Sequence, residues 1–501
     1  MLTRTAADTG MYTPSLPSEA HFLGIRNHTI GIDCQIDTPY GQKTLLYADW
    51  AASGRLYRPI EYTLQEKFGP LVGNPHTEAS TTGLTMTRAY HEAKQIIKRH
   101  VNAAPYDALI FAGNGTTGAV NKLRRILGLP ADGQSARMLG EADRPVIFVS
   151  HMEHHSNQLP WLETGAELVT VPAGPEGCPD PAELERLLGL YRTRRWKIGT
   201  FTACSNVTGI ESPYHRLAAA MHRAGGICFV DFAASAPYTA LNMHPERPEE
   251  KLDAIFFSPH KFLGGPGAGG VLVFDSRLYA KNEPDEPGGG TVIWTNPWGG
   301  RSYIPDVEVR EDGGTPGFMQ AFRTALCVKL KEQMGARALQ ERERQLTSRL
   351  LEGLDQLPGI TVLEGRHKRR LGIVSFTVHT IHYNLMVRLL NDRFGIQARG
   401  GCSCAGPYGH HLLGVSPVQS SVIASQLSAG NPSLKPGWVR FSIHPMMTAA
   451  EVDTLVSATA AILHNRTEWT ADYQYDPLGN SWVHRTRNPD KTKAIEDMFQ
   501  L

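Results

Sequence analysis

The stretch that most restricts how this chain can fold is 253–274, Asp-Ala-Ile-Phe-Phe-Ser-Pro-His-Lys-Phe-Leu-Gly-Gly-Pro-Gly-Ala-Gly-Gly-Val-Leu-Val-Phe. Ala254 to Phe257 reads as a buried strand. A short turn then presents Ser258, His260 and Lys261, and a glycine-rich bend leads into a second apolar strand, Val271 to Phe274. A lysine at the end of a buried strand suits Schiff-base chemistry, because a desolvated amine near other cations has a lowered pKa and attacks a carbonyl. Taken alone, Lys261 also reads as a solvated loop lysine.

The same pattern, an apolar run ending on a polar turn, recurs along the chain. Ala108 to Phe111 runs into Gly113-Asn114-Gly115-Thr116-Thr117-Gly118 and a helix start. Backbone N–H groups at a helix N-terminus bind phosphate, and the two threonines add hydroxyl donors. No lysine follows the last glycine, and the dinucleotide fingerprint is absent, so neither common nucleotide loop applies. An ordinary threonine cap explains the same residues. Pro145 to Val149 ends at a turn holding His154 and His155, which reads as a ligand site at a strand's carboxyl end, a solvated loop or a metal site. Lys197 to Thr202 leads to Asn206, and Ile227 to Val230 ends at Asp231, a helix cap or surface acid in its plain reading.

Helical segments lie between these strands, and that rhythm predicts an α/β fold with a mostly parallel sheet covered on both faces. The expected divisions are an N-terminal arm over 1–40, a large domain over 41–330, a smaller α+β domain over 331–465 and a tail over 466–501. Residues 282–317 are a long loop rich in Gly and Pro. Residues 324–351 form one long helix or two, and 407–437 is a small-residue, polar stretch. The net charge of +1 over 501 residues gives no field that favours nucleic acid or a membrane. No run is apolar and long enough to cross a bilayer, and no secretory signal opens the chain. Seven scattered cysteines predict a reducing, cytoplasmic setting.

Six motifs then occur in one order: Gly-Thr-Thr (115–117), Glu-His-His-Ser-Asn (153–157), Ser-Asn-Val-Thr-Gly (205–209), Val-Asp-Phe-Ala (230–233), Phe-Ser-Pro-His-Lys (257–261) and Arg-Gly-Gly-Cys-Ser-Cys-Ala (399–405). Over roughly residues 44–465 this series resembles the class V aminotransferase family of fold-type I pyridoxal-phosphate enzymes, and most closely the cysteine desulfurases. The resemblance implies a seven-stranded-type sheet between helices plus a smaller α+β domain. It implies that Lys261 holds pyridoxal 5'-phosphate and later shuttles the α-proton, and that Asp231 pairs with the pyridinium nitrogen. His154 would stack on the ring, and Thr116, Thr117, Ser258 and His260 would hold the phosphate. Thr315 would reach the phosphate of the other subunit in a homodimer. Asn206 would contact the cofactor's phenolic oxygen or the substrate, Arg440 would bind the substrate carboxylate, and Arg399 would support the cysteine loop.

By the same resemblance, Cys404 is the nucleophile that takes sulfur from L-cysteine, leaving alanine and a persulfide for an acceptor protein. The sequence departs from the pattern at Ala234, where desulfurases usually carry glutamine, and at Cys402, where the closest ones have histidine. Cys402 is then a possible second thiol, as in molybdenum cofactor sulfurases. Other chemistry on this scaffold, a C–S lyase, selenocysteine lyase, epimerase or aminotransferase, stays open. So does a packing role for the two cysteines. No metal is expected, since the Cys-x-Cys of Cys402 and Cys404 with His410 and His411 is not a usual zinc pattern.

Overall fold

The computed structural model describes residues 19–486 and 492–500. Seven strands form the central sheet: β1 (Asp107–Phe111), β2 (Val146–Ser150), β3 (Glu167–Val171), β4 (Lys197–Thr202), β5 (Ile227–Asp231), β6 (Ala254–Phe257) and β7 (Val271–Asp275). Their order across the sheet is β1-β7-β6-β5-β4-β2-β3. Strands β2 to β6 pair in parallel, and β7 runs antiparallel to both β1 and β6. The apolar runs make such strands because both faces are covered. Ile255, Phe257, Val271 and Val273 point into one core, while Ala254, Phe256, Leu272 and Phe274 point into the other. The carboxyl ends of β1, β2, β4, β5 and β6 therefore share one edge, and every polar turn singled out in the sequence emerges there.

A second sheet lies across that edge. It contains β8 (Ile360–Val362), β9 (Ile373–Val378), β10 (Arg399–Gly401) and β11 (Trp438–Ser442), antiparallel in the order β8-β9-β11-β10. Leu46–Tyr47 runs parallel to Ile396–Gln397 in a separate two-stranded sheet, and Asp49 then makes an isolated parallel bridge to Ser442 at the end of β11. The long helical region is two helices, Phe318–Met334 and Ala336–Asp355, broken at Gly335, whose φ of 81° no helix interior accommodates.

Four stretches read as irregular are ordered. In the expected arm, 1–18 lies outside the described residues, but Glu19–His28 is a helix and Gln35–Thr38 pairs with Gly41–Thr44. In the expected tail, Tyr473–Asp476 and Ser481–His484 form a hairpin, while 487–491 and 501 lie outside the described residues. Residues 407–437 contain the helices Gly406–Leu413 and Pro417–Ser428. The second is started by a capping box in which Ser416 and Gln419 satisfy each other's backbone N–H groups, with Pro417 in the first turn. The expected long loop 282–317 contains a hairpin pairing Val292–Thr295 with Arg301–Tyr303 and the short helix Val307–Arg310, and it is pinned by Lys122, which reaches Glu311 (2.6 Å) and Asp285 (3.2 Å) inside the protein.

The turn that carries Lys261 is closed by glycine. A Cβ on Gly265 would overlap the carbonyl oxygen of Pro259 and come within 3.0 Å of that of Phe262. Gly265→Ala is therefore expected to destabilise the protein by about 1–3 kcal/mol. Gly189→Ala, in the helix Pro181–Leu190 with nothing within 4 Å of the added methyl, should stabilise it by up to about 1 kcal/mol. Denaturant unfolding of both variants checks the contrast, and equal behaviour would show that the turn has room to move.

Candidate active site

The strand ends and the second sheet enclose a cavity of about 210 Å³. Lys261 and Asp231 form its floor, reaching it from the adjacent parallel strands β6 and β5. Enclosure by protein lowers the Lys261 pKa to about 8. Asp231 opposes that shift, while Arg440 and Arg399 add to it. Burial also raises Asp231 to about 6, against the Ala233 N–H, which donates to Oδ1 at 2.8 Å, and against the Lys261 charge.

One wall is a cradle of donors. Gly115, at φ 90°, caps the helix Thr116–Ile126. The Thr116 N–H donates to Ser258 Oγ (2.9 Å), whose hydroxyl also lies 3.0 Å from Thr116 Oγ1. Thr117 Oγ1 lies 2.6 Å from Ser156 Oγ. A Cβ on Gly115 would sit 2.7 Å from Ser258 Oγ and 2.9 Å from His260 Cε1, so only glycine keeps this cradle open. His260 is lowered to about 4, by burial first and then by Lys261. His154 is lowered to about 3 by burial, with Lys261, His155 and Arg440 contributing. Its Nδ1 accepts from the Ser156 N–H (3.1 Å), which leaves a neutral ring with its proton on Nε2.

The opposite wall carries the cationic groups. Arg440, buried on β11, donates through Nη1 to the Asn206 carbonyl (2.9 Å) and through Nη2 to Asp49 Oδ1 (2.7 Å). Its Nε has no partner. Arg399, on β10 beside it, donates to Asp49 Oδ2 (3.1 Å) and is half-exposed. Asn206 donates to the Ser403 carbonyl (2.7 Å), and its Oδ1 is buried without a partner. Cys404 is exposed and faces the same cavity.

Eleven of the residues singled out in the sequence thus line one space. Two do not. Cys402 is half-buried and packs on the apolar cluster of Met152, Tyr408 and Trp438. Thr315 is exposed, and its hydroxyl donates to Asn74 Oδ1 at 3.4 Å, away from the cavity. Ala234, where the resemblance expects an amide, lies in the wall. Sequence reasoning gave no role to Asp49, which accepts from both arginines, or to Glu153. The latter is buried, pushed up to about 7, and accepts from Ser150, Asn157 and the Thr202 N–H. The only available signal for Asp49 was its place just after a short strand. Among the described residues, no group of three or more His, Cys, Asp or Glu is arranged to hold a metal.

A model of the family described as aminotransferase class-V matches residues 46–455. The chain belongs to the class-V aminotransferase family. It is 30% identical over 376 residues to a probable cysteine desulfurase of Halalkalibacterium halodurans, covering 74% of this chain and 87% of the relative. A probable cysteine desulfurase of Staphylococcus aureus is 28% identical, with 74% and 86% covered. Among solved structures, the apo cysteine desulfurase of Thermococcus onnurineus superposes with a TM-score of 0.69 at 25% identity, covering 84% of this chain and 95% of the other. The Escherichia coli cysteine desulfurase CsdA shares the fold, with a TM-score of 0.69 at 24% identity and coverage of 89% and 98%.

The electrostatics of the floor predict a pH profile. In protein free of bound carbonyl compounds, reductive methylation of Lys261 should be half-maximal near pH 8, well below the roughly 10.4 of a solvated lysine. Removing the Asp231 charge removes a contribution that raises the lysine pKa. Asp231→Asn should therefore move the midpoint lower. Peptide mass spectrometry across a pH series reads this directly, and an unmoved or raised midpoint would contradict the coupling.

Proposed function

We propose that this protein is a pyridoxal-phosphate-dependent cysteine desulfurase. The observation that carries the reading is that Lys261, Asp231, Arg440 and Cys404 all open on one enclosed space. An amine, a buried acid, a carboxylate fork and a thiol are together what removal of sulfur from L-cysteine requires. The residues fit the cofactor. The Gly115 cradle accepts a phosphate, Asp231 suits a pyridinium nitrogen, and the orphaned Oδ1 of Asn206 offers an acceptor to a polar group in the cavity. When bound, pyridoxal phosphate supplies an electron sink for charge that develops on the substrate's α-carbon.

The chain's own groups do the rest. The unpartnered Nε of Arg440, supported by Arg399, holds the substrate carboxylate. Lys261, whose lowered pKa leaves a fraction of its amine unprotonated near neutral pH, takes the α-proton and returns it. Neutral His154 would stack its flat, uncharged ring on that of the cofactor. The Cys404 thiolate attacks the substrate sulfur, the substrate's C–S bond breaks with its electron pair left on carbon, and a proton completes alanine. L-cysteine and the Cys404 thiol thus become L-alanine and a Cys404 persulfide, which an acceptor thiol then takes up.

We further read the protein as a cytoplasmic homodimer. No helix among the described residues is long and apolar enough to cross a membrane. Thr315 lies outside its own cavity and near the hairpin that pairs Val292–Thr295 with Arg301–Tyr303, where Ile293, Trp294 and Trp298 are exposed. A partner subunit on this face would bring Thr315 to the other phosphate cradle.

The test is product formation from L-cysteine with a reductant present. The parent protein should release alanine and sulfide in equal amounts. Cys404→Ala should keep the cofactor's absorbance and lose both products, and Lys261→Ala should lose the absorbance as well. Undiminished turnover by Cys404→Ala would overturn the reading and leave this cysteine a packing role.

A further inference from the structure

One residue that the proposed reaction does not use holds the loop that bears its nucleophile. Ser403 and Cys404 both have left-handed backbone, with φ of 51° and 55°. That conformation costs a non-glycine residue roughly 1–2 kcal/mol, so two in succession persist only when the surroundings hold them. Three hydrogen bonds from the strand ends of the central sheet do so. The His155 N–H donates to the Cys404 carbonyl (2.9 Å), the Gly406 N–H donates to His155 Nε2 (2.9 Å), and Asn206 Nδ2 donates to the Ser403 carbonyl (2.7 Å). Asn206 also faces the cavity, but His155 contributes nothing to its lining.

His155 therefore brackets the nucleophile, with one bond to the peptide of Cys404 itself and one to the N–H two residues later. That N–H is the first of the helix Gly406–Leu413 and has no acceptor within the helix. Glycine at 406 permits the approach, since a Cβ there would lie only 3.1 Å from His155 Nε2. Acceptance at Nε2 requires a neutral ring with its proton on Nδ1. Burial first, and then the Lys435 charge, lower the pKa of this histidine and favour that form.

We propose that His155 is the positioning residue of the Cys404 loop, setting where the thiol stands over the cavity without touching substrate or cofactor. The inference rests on the desulfurase reading only for the reaction that senses it. The holoenzyme carrying His155→Ala is compared with His155→Gln, whose amide oxygen keeps a neutral acceptor near the place of Nε2. Three readouts are taken. The cofactor's spectral response to L-alanine reports amino-acid binding without Cys404. The rate of persulfide formation from L-cysteine reports the placement of the thiol. Alkylation of Cys404 by iodoacetamide, mapped by fragment mass spectrometry, reports the loop whatever the reaction turns out to be.

His155→Ala should leave the L-alanine response unchanged, slow persulfide formation by about 10- to 100-fold and speed alkylation of Cys404. His155→Gln should recover most of both changes. The proposal is overturned if alkylation and persulfide formation are unchanged in His155→Ala. It is overturned equally if His155→Gln is as impaired as His155→Ala, or if the L-alanine response falls in step with the persulfide rate. If even the parent forms no persulfide, the desulfurase reading fails, while the alkylation rates of the two variants still decide the role of His155.

Discussion

Everything in the candidate site depends on an amine and a carboxyl enclosed in the same floor. Burial pushes Lys261 toward its neutral form and Asp231 toward its protonated form, and each charge partly offsets that push on the other. Such a pair forms only where two neighbouring parallel strands end together inside the protein. Here Asp231 stands opposite Phe256 in the β5–β6 register, and Lys261 follows one short turn later. The sheet order therefore serves the chemistry directly: a seven-stranded sheet buried on both faces delivers its polar turns to one edge, where Arg399 and Arg440 of the second sheet face them across the cavity.

The second sheet faces an electrostatic difficulty of its own. Arg399 and Arg440 are direct partners across β10 and β11, two like charges side by side. Asp49 accepts from both, which converts a repulsion into a bridged set with the Nε–H of Arg440 unpartnered. Asp49 follows the strand Leu46–Tyr47 and bridges to Ser442 of the second sheet. A residue from the N-terminal part of the chain thus supplies a counter-charge for arginines 350 and 391 positions later, and the arginines, Asn206 and the cysteine loop close the cavity as one connected wall.

Much of this was legible in the sequence because buried strands followed by polar turns leave an unmistakable pattern. The apolar runs 254–257 and 271–274 lie in the central sheet as read, and the residues that follow five strands converge on one cavity. What escaped the sequence did so for identifiable reasons. Asp49 and His155 act through backbone groups and through residues hundreds of positions away, so no local spacing signals them. The helices within 407–437 are rich in Ser and Gly, whose propensities hide them, and only the Ser416–Gln419 capping box marks the second. Cys402 sits two residues from the loop's exposed thiol, yet its side chain packs on Tyr408 and Trp438, because the left-handed turn at Ser403 and Cys404 separates the directions of the two thiols.

The central claim is that sulfur passes from L-cysteine to the thiol of Cys404. One turnover with L-cysteine carrying a heavy sulfur isotope, followed by rapid capture of persulfides and fragment mass spectrometry, asks where that atom goes. The structure predicts the label on Cys404, one atom per active site, with alanine formed in the same amount. Label first on Cys402, or alanine formed with every protein thiol unlabelled, would contradict it.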